Sequence, residues 1–202
     1  MLIKESEIKG VYIAVPNVYR DVRGSFLESF RVDVWERVIG PVQFIQENES
    51  FSTQHVLRGL HYQVPPFGQS KLVRTVVGAV LDVVVDMRPE SSTFGQCHIE
   101  VLDDKEKKQL FVPNRFAHGF LILSPEAVVQ YKVDAPYHPA YERTLRFDDP
   151  YLQINWGLAS HLCVLSEKDR VGLFWEEAVK ELRMMNRAAG ELMSRQANNY
   201  EY

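Results

Sequence analysis

At 202 residues, with 46% apolar and 25% charged side chains, the chain has the make-up of an ordinary packed domain and is too short for two full ones. Its 23 Lys and Arg against 27 Asp and Glu leave a net charge of −4, which excludes a broad attraction for nucleic acid or an anionic membrane, so a ligand phosphate would need a local basic pocket. The N-terminus lacks a basic segment followed by an apolar core and no apolar run is long enough to span a membrane, so a cytoplasmic protein is expected.

In chain order, short β-prone runs separated by turn residues are predicted at Val11–Val15, Ser25–Phe30, Phe44–Ser50, Val56–Tyr62, Lys71–Val77, Val80–Asp86, Gln96–Leu102, Gln109–Val112, Gly119–Leu123 and Val128–Val133. Val32–Ile39 reads as one or two helical turns. The β-prone runs are enough strands to close a barrel. Gly78 and Asp103-Asp104 are read as hairpin turns of an antiparallel meander. Val64-Pro65-Pro66-Phe67-Gly68 interrupts any ladder, because proline lacks the donor, and is placed as a loop at the barrel mouth. From Leu173 the apolar spacing of Ala178, Leu182, Met185, Ala189 and Leu192 predicts an amphipathic helix over 173–195, packed on its own barrel or against another subunit. The whole of 1–202 is read as one domain. Cys97 and Cys163 stand in no metal or redox spacing and read as small buried hydrophobes.

The densest polar cluster runs from Gln46 to Gln63. Residues two apart on a strand share a face, so Gln46, Asn48 and Ser50 point one way, as the lining of a ligand-filled barrel would. The same alternation sets Arg58 and Leu60 opposite to Gly59 and His61. Lys71 opens the run after the proline loop and returns to the same mouth. His118 lies beside a glycine, and Tyr131 and Tyr137 place phenols on and after a further run. Each has a plain alternative: a structural histidine, a solvated lysine, an ordinary barrel tyrosine, and for Asp169 a helix N-cap. Asp82, Asp86 and Arg88 read as structural polar pairs.

In order, the segments Asp21-Val-Arg23-Gly24-Ser-Phe26-Leu-Glu28, Val56-Leu-Arg58-Gly59-Leu60-His61-Tyr62-Gln63, Lys71-Leu72-Val73 through Gly78 to Arg88, Ala117-His118-Gly119-Phe120, Tyr131-Lys132 and Leu165-Ser166-Glu-Lys168-Asp169 resemble the dTDP-4-dehydrorhamnose 3,5-epimerase family. The resemblance implies a mostly β, cupin-type jelly-roll barrel, usually a homodimer, acting without a metal or other cofactor on a dTDP-linked 4-keto-6-deoxy sugar. By that resemblance His61 is the base, Asp169 its partner, Tyr131 the acid on the opposite sugar face, and Lys71 the oxyanion stabiliser. Gln46, Asn48, Arg58, His118 and Tyr137 would contact substrate. Arg23, Phe26 and Glu28 resemble the nucleotide-contacting segment, which in the family reaches the neighbouring subunit.

The chemistry suits those residue types. A C4 ketone acidifies the protons on C3 and C5, because the anion left behind is an enolate. Inversion then needs a base on one face and an acid on the other. A carboxylate-oriented imidazole accepts a proton near neutral pH, and a phenol stays protonated until enolate charge develops. A lysine at O4 would lower the barrier by roughly 3 kcal/mol.

Two departures bear on the substrate: Arg115 stands where the family commonly has glycine, and Arg143-Thr-Leu-Arg146-Phe147-Asp-Asp149-Pro150 replaces a Gly-containing run, so Arg115 and Arg146 are candidates to alter specificity. Competing readings are a C3 or C5 mono-epimerase on a related sugar nucleotide, a metal cupin, and a non-catalytic sugar-nucleotide binding module. The metal cupin needs a His-x-His pair, and around His61 the sequence has Leu60-His61-Tyr62-Gln63 instead.

Overall fold

The computed structural model describes residues 1–185. A six-stranded antiparallel sheet is built in the order β1 (Leu2–Glu5), β2 (Tyr12–Val15), β10 (Gln109–Val112), β7 (Lys71–Val77), β12 (Glu126–Val133), β5 (Gln46–Thr53). It faces a five-stranded sheet ordered β13 (Glu142–Thr144), β6 (Leu57–Gln63), β11 (Phe116–Ile122), β8 (Ala79–Asp86), β9 (Cys97–Asp103). A separate ribbon pairs β3 (Val18–Asp21) with β4 (Gly24–Leu27). Two sheets exchanging strands in this way form a jelly roll, the architecture that the family resemblance implies. Strands β1, β3 and β13 are additions to the predicted set; each is only three or four residues long and too mixed to show a period.

Apolar residues fill three layers. Between the sheets lie Val73, Val80, Val84, Leu110, Phe120 and Val129. Outside the six-stranded sheet, helix α1 (Val32–Ile39) buries Trp35 against Leu72 and Phe111. Outside the five-stranded sheet, Leu60, Tyr62, Val83, Val85 and Leu121 pack beneath Phe147, Trp156, Trp175, Ala178 and Leu182. Strand β8 is therefore apolar on both faces, which is why it reads as an unbroken run rather than an alternation.

The two turn signals carry a different role from the one predicted. β7 pairs with β10 and β12, and β8 with β11 and β9, so Gly78 carries the chain from one sheet to the other and closes no hairpin. The same holds for Asp103-Asp104 between β9 and β10. The two crossings meet: Gly78 N–H donates to Asp104 Oδ2 at 2.8 Å, and Asp104 N–H to Gly78 O at 2.9 Å. Gly78 has φ +77°, and a Cβ there would lie 2.2 Å from the Glu126 carbonyl oxygen. A turn residue is visible in sequence; which strand it delivers to is a long-range matter.

Beyond β13 the chain returns to the five-stranded sheet, forms the short helix α2 (Glu167–Arg170) and enters a helix described from 175 through 185. Trp175, Ala178 and Leu182 join the outer core, so this helix packs on its own barrel. Ala189 and Leu192 of the predicted stripe, and the predicted end near 195, lie outside the described residues. Cys97 and Cys163 are half-buried, free thiols against the same layer. No helix among the described residues is long and apolar enough to cross a membrane.

Candidate active site

The sheets open into a cavity of about 680 Å³. Its six-stranded wall carries Gln46, Asn48 and Ser50 of β5, Tyr131 of β12 and Lys71 of β7; its five-stranded wall carries Arg58 and His61 of β6, His118 and Phe120 of β11 and Glu142 of β13. Asp169 and Lys168 of α2, Gln69 and Tyr137 complete it. The polar row Gln46, Asn48 and Ser50 thus lines the interior, as its period of two requires.

Arg58 and His61 share the cavity although three residues apart, contrary to simple alternation. The ladder between β6 and β11 explains it: His118 pairs with His61 but Phe120 with Arg58, so β6 holds one extra residue. That bulge falls at Gly59 and resets the phase, putting Leu60 in the outer core and His61 inside.

His61 Nε2 lies 2.6 Å from Asp169 Oδ1, across 108 residues of sequence. With Nε2–H donating to the carboxylate, Nδ1 is the free basic nitrogen. Asp169 is buried, and its other oxygen accepts from Ser166 Oγ at 2.7 Å. Ser166, not Asp169, is the N-cap of α2, its hydroxyl accepting from Asp169 N–H. Burial pushes the Asp169 carboxyl up, but hydrogen bonds from His61 and Ser166 and the charges of His61 and Lys168 outweigh it and hold it below the usual carboxylate value. It stays a carboxylate that orients the imidazole.

A second pair stands beside the first. His118 Nε2 is 2.9 Å from both oxygens of Asp82, and both residues are buried. Asp82 is therefore the anchor of a cavity histidine and no partner of Arg88, which the sequence reading had not foreseen. Asp86 does pair with Arg88, and also accepts from Ser91 and Thr93. The signal for Asp82 was its charge at an inner position of an apolar strand.

Opposite His61, Tyr131 projects from the facing sheet. Burial is the main reason its phenol is pushed above its ordinary value; Arg58 opposes this and Glu142 adds to it. It is a protonated donor at neutral pH. Lys71 is drawn down to about 8, chiefly by burial, against the pull of Asp82 and Glu142 and with a further push from Lys168. Among the described residues it makes no ion pair.

Glu142 accepts from Tyr137 Oη at 2.7 Å and pairs with Lys168. Burial raises its carboxyl, yet Lys168, Tyr137 and His61 together keep it below its usual value. Glu142, Lys168, Ser166 and Gln69 were not singled out from sequence. Ser166 and Lys168 had a visible cue, their place in the segment that ends at Asp169.

Arg23, Phe26 and Glu28 are not brought to the cavity. Arg23 is paired with Asp21 on the β3–β4 ribbon, Phe26 is 71% exposed there, and Glu28 faces Arg31. Nor do the two unusual arginines reach it. Arg115 binds Glu90, and Arg146 binds Asp148 and covers the Phe174 ring. Arg115 has φ +64°, a left-handed conformation that favours glycine. Among the described residues no three His, Cys, Asp or Glu side chains are grouped as metal ligands.

The family model for dTDP-4-dehydrorhamnose 3,5-epimerase matches residues 5–177. The chain belongs to that family. It is 46% identical over 170 residues to the dTDP-4-dehydrorhamnose 3,5-epimerase of Shigella flexneri, covering 84% of this chain and 93% of the relative. The solved dTDP-6-deoxy-D-glucose-3,5-epimerase of Legionella pneumophila, in complex with dTDP-4-keto-L-rhamnose, superposes with a TM-score of 0.85 at 40% identity, covering 90% of this chain and 96% of that one. A dTDP-4-dehydrorhamnose 3-epimerase of Streptomyces niveus is 37% identical over 179 residues, 88% of this chain and 86% of the relative.

Proposed function

We propose that this member of the family epimerises dTDP-4-dehydro-6-deoxy-D-glucose at C3 and C5 to dTDP-4-dehydro-L-rhamnose, by acid–base chemistry through an enolate. The observation that carries the reading is that His61, oriented by Asp169, and Tyr131 stand on facing sheets of one cavity. His61 Nδ1 takes the proton from the carbon next to the ketone. Electron density moves into O4, where the Lys71 ammonium, held in a site withdrawn from solvent, balances it. Tyr131 returns a proton from the other side. Inversion follows because base and acid approach from opposite walls; a retaining exchange would need only one.

Gln46, Asn48, His118 and Tyr137 contact substrate, and Arg58 meets the diphosphate as the local cation that a net-negative protein must supply. Arg58 is prepared for this: its Nε–H donates to Ser52 Oγ at 3.0 Å, fixing the guanidinium on the cavity wall. The reaction needs no metal or redox cofactor, since the ketone already labilises both carbons. Arg23, Phe26 and Glu28, remote from this chain's own cavity, serve the nucleotide end of the partner's cavity in a cytoplasmic homodimer, and the chain acts as one catalytic domain.

The deciding experiment is incubation with dTDP-4-dehydro-6-deoxy-D-glucose in D₂O, followed by NMR. Deuterium at both C3 and C5, with accumulation of the L-sugar, is expected. The likeness to the Streptomyces niveus 3-epimerase supplies the second reading, exchange at C3 alone. No exchange at either carbon would leave only a binding role.

A further inference from the structure

Tyr137 lines the cavity from the connection between β12 and β13, yet it is 52% exposed, so packing alone does little to fix its ring. What fixes it lies beneath. Gln63, the last residue of β6, is buried, does not line the cavity and takes no part in the chemistry described above. Its carboxamide oxygen accepts from His138 N–H at 2.6 Å, and its Nε2 donates to Pro136 O at 3.2 Å and to Phe67 O at 2.8 Å. Two carbonyls and one N–H admit only this orientation of the amide. Pro136 and His138 are the chain neighbours of Tyr137, so one side chain holds the backbone on both sides of it.

The phenol end is held by the adjoining residue. Glu142 is in register with Gln63 between β13 and β6, and it accepts from Tyr137 Oη at 2.7 Å. This cross-strand pair therefore grips Tyr137 by its main chain and by its hydroxyl. The rest of the connection is tied to the proline loop: Ser70 N–H donates to Asp134 Oδ1 at 2.7 Å, Gln69 Nε2 donates to Ala135 O at 2.6 Å, and the Phe67 ring lies 3.8 Å from that of His138. Asp134, Ala135, Pro136 and His138 are all bonded to the segment 63–70, and Tyr137, between them, is the one that lines the cavity. A contact set in place before the ligand arrives binds more tightly, because the loop loses no further freedom on binding.

We infer that Gln63 is the positioning residue of Tyr137: its carboxamide presets the loop so that the phenol meets the substrate at the exposed rim of the cavity. The inference rests on the function proposed above. Gln63 touches no reacting atom and acts on affinity through Tyr137.

Steady-state kinetics on dTDP-4-dehydro-6-deoxy-D-glucose test it in a double-mutant cycle. Gln63→Met, similar in size but without the carboxamide, is expected to raise KM about tenfold and to leave kcat within about twofold of wild type, the mark of binding lost equally from ground and transition state. Tyr137→Ala should raise KM at least as much. Adding Gln63→Met to it should change KM by less than about twofold, since a clamp with nothing to place has no effect, whereas a role confined to packing would carry its full penalty into that background. If Gln63→Met does not fold, Gln63→Glu, whose carboxylate keeps the bond from His138 N–H and loses both donated ones, carries the cycle with the same expectation. An unchanged KM in the Gln63 variant, a loss in kcat with KM intact, or a full KM increase in the Tyr137→Ala background each overturns the assignment while wild-type turnover leaves the proposed function standing. Wild-type protein that neither turns the substrate over nor exchanges its C3 and C5 protons defeats that function, and the role of Gln63 with it.

Discussion

In the proposed mechanism His61 and Tyr131 do different jobs and should fail differently. His61→Ala removes the group that breaks the C–H bond, so solvent exchange at C3 and C5 should fall to background. Tyr131→Phe keeps the base but not the acid, so deuterium exchange should persist while inversion drops by about 10²–10⁴-fold. Following both by NMR on one sample separates the roles; equal exchange by wild type and His61→Ala would remove His61 from the mechanism. Lys71 offers a pH test. Its folded value, about 8, lies below the ordinary 10.5, so the native state holds its proton less tightly than the unfolded chain. The sign follows: this group costs stability in full below pH 8, and stability recovers as pH rises from about 8 towards 10.5. Lys71→Met should therefore melt higher than wild type at pH 7, with the advantage vanishing in alkali, and should be nearly inactive. In wild type, kcat/KM should decline as pH climbs through about 8, where the ammonium is lost. A lower melting temperature for Lys71→Met at pH 7 would contradict the burial argument.

The bulge at Gly59 is the element on which the site's geometry turns. Gly59 has φ +121°, and a Cβ there would stand 2.4 Å from Gly119 Cα and 2.8 Å from the His118 carbonyl oxygen. Gly59→Ala should cost about 2–4 kcal/mol in chemical denaturation and lower kcat/KM as well, because it disturbs Arg58 and His61 together. Retention of full activity at reduced stability would show that the bulge serves packing alone. The same element marks what was legible in sequence. Strands β7, β10 and helix α1 have the predicted limits, and the lining row of β5 follows from a period of two. The side on which Arg58 points was misread, because alternation fails where one strand gains a residue against its neighbour; a glycine inside the run is the one local cue to such a bulge. The sheet-crossing at Gly78 was missed for a related reason: local turn chemistry is the same whether the next strand pairs alongside or departs. Glu142 escaped notice because its strand is three residues long, its meaning given only by the register that sets Thr144 beside His61.

At the scale of the molecule, the cavity of one chain lacks its predicted nucleotide contacts, and Tyr19, Val22 and Phe26 of the β3–β4 ribbon are exposed apolar side chains that the proposed homodimer would have to cover. If Arg23 serves the partner's cavity, Arg23→Ala and His61→Ala proteins, each impaired alone, should regain activity when unfolded and refolded together. Each mixed dimer would then hold one cavity with both groups intact, giving up to about a quarter of the wild-type cavities in a statistical mixture. No recovery would place Arg23 in its own chain's service or in none. A different consequence follows from the 108 residues that separate His61 from the carboxylate that orients it. The imidazole is synthesised early, in the first third of the chain, and its counterpart only near the end. On the proposed roles, a growing polypeptide on the ribosome, even with its strands already emerged, lacks the carboxylate that orients the base until translation has passed α2, so fragments released before that point should be inactive.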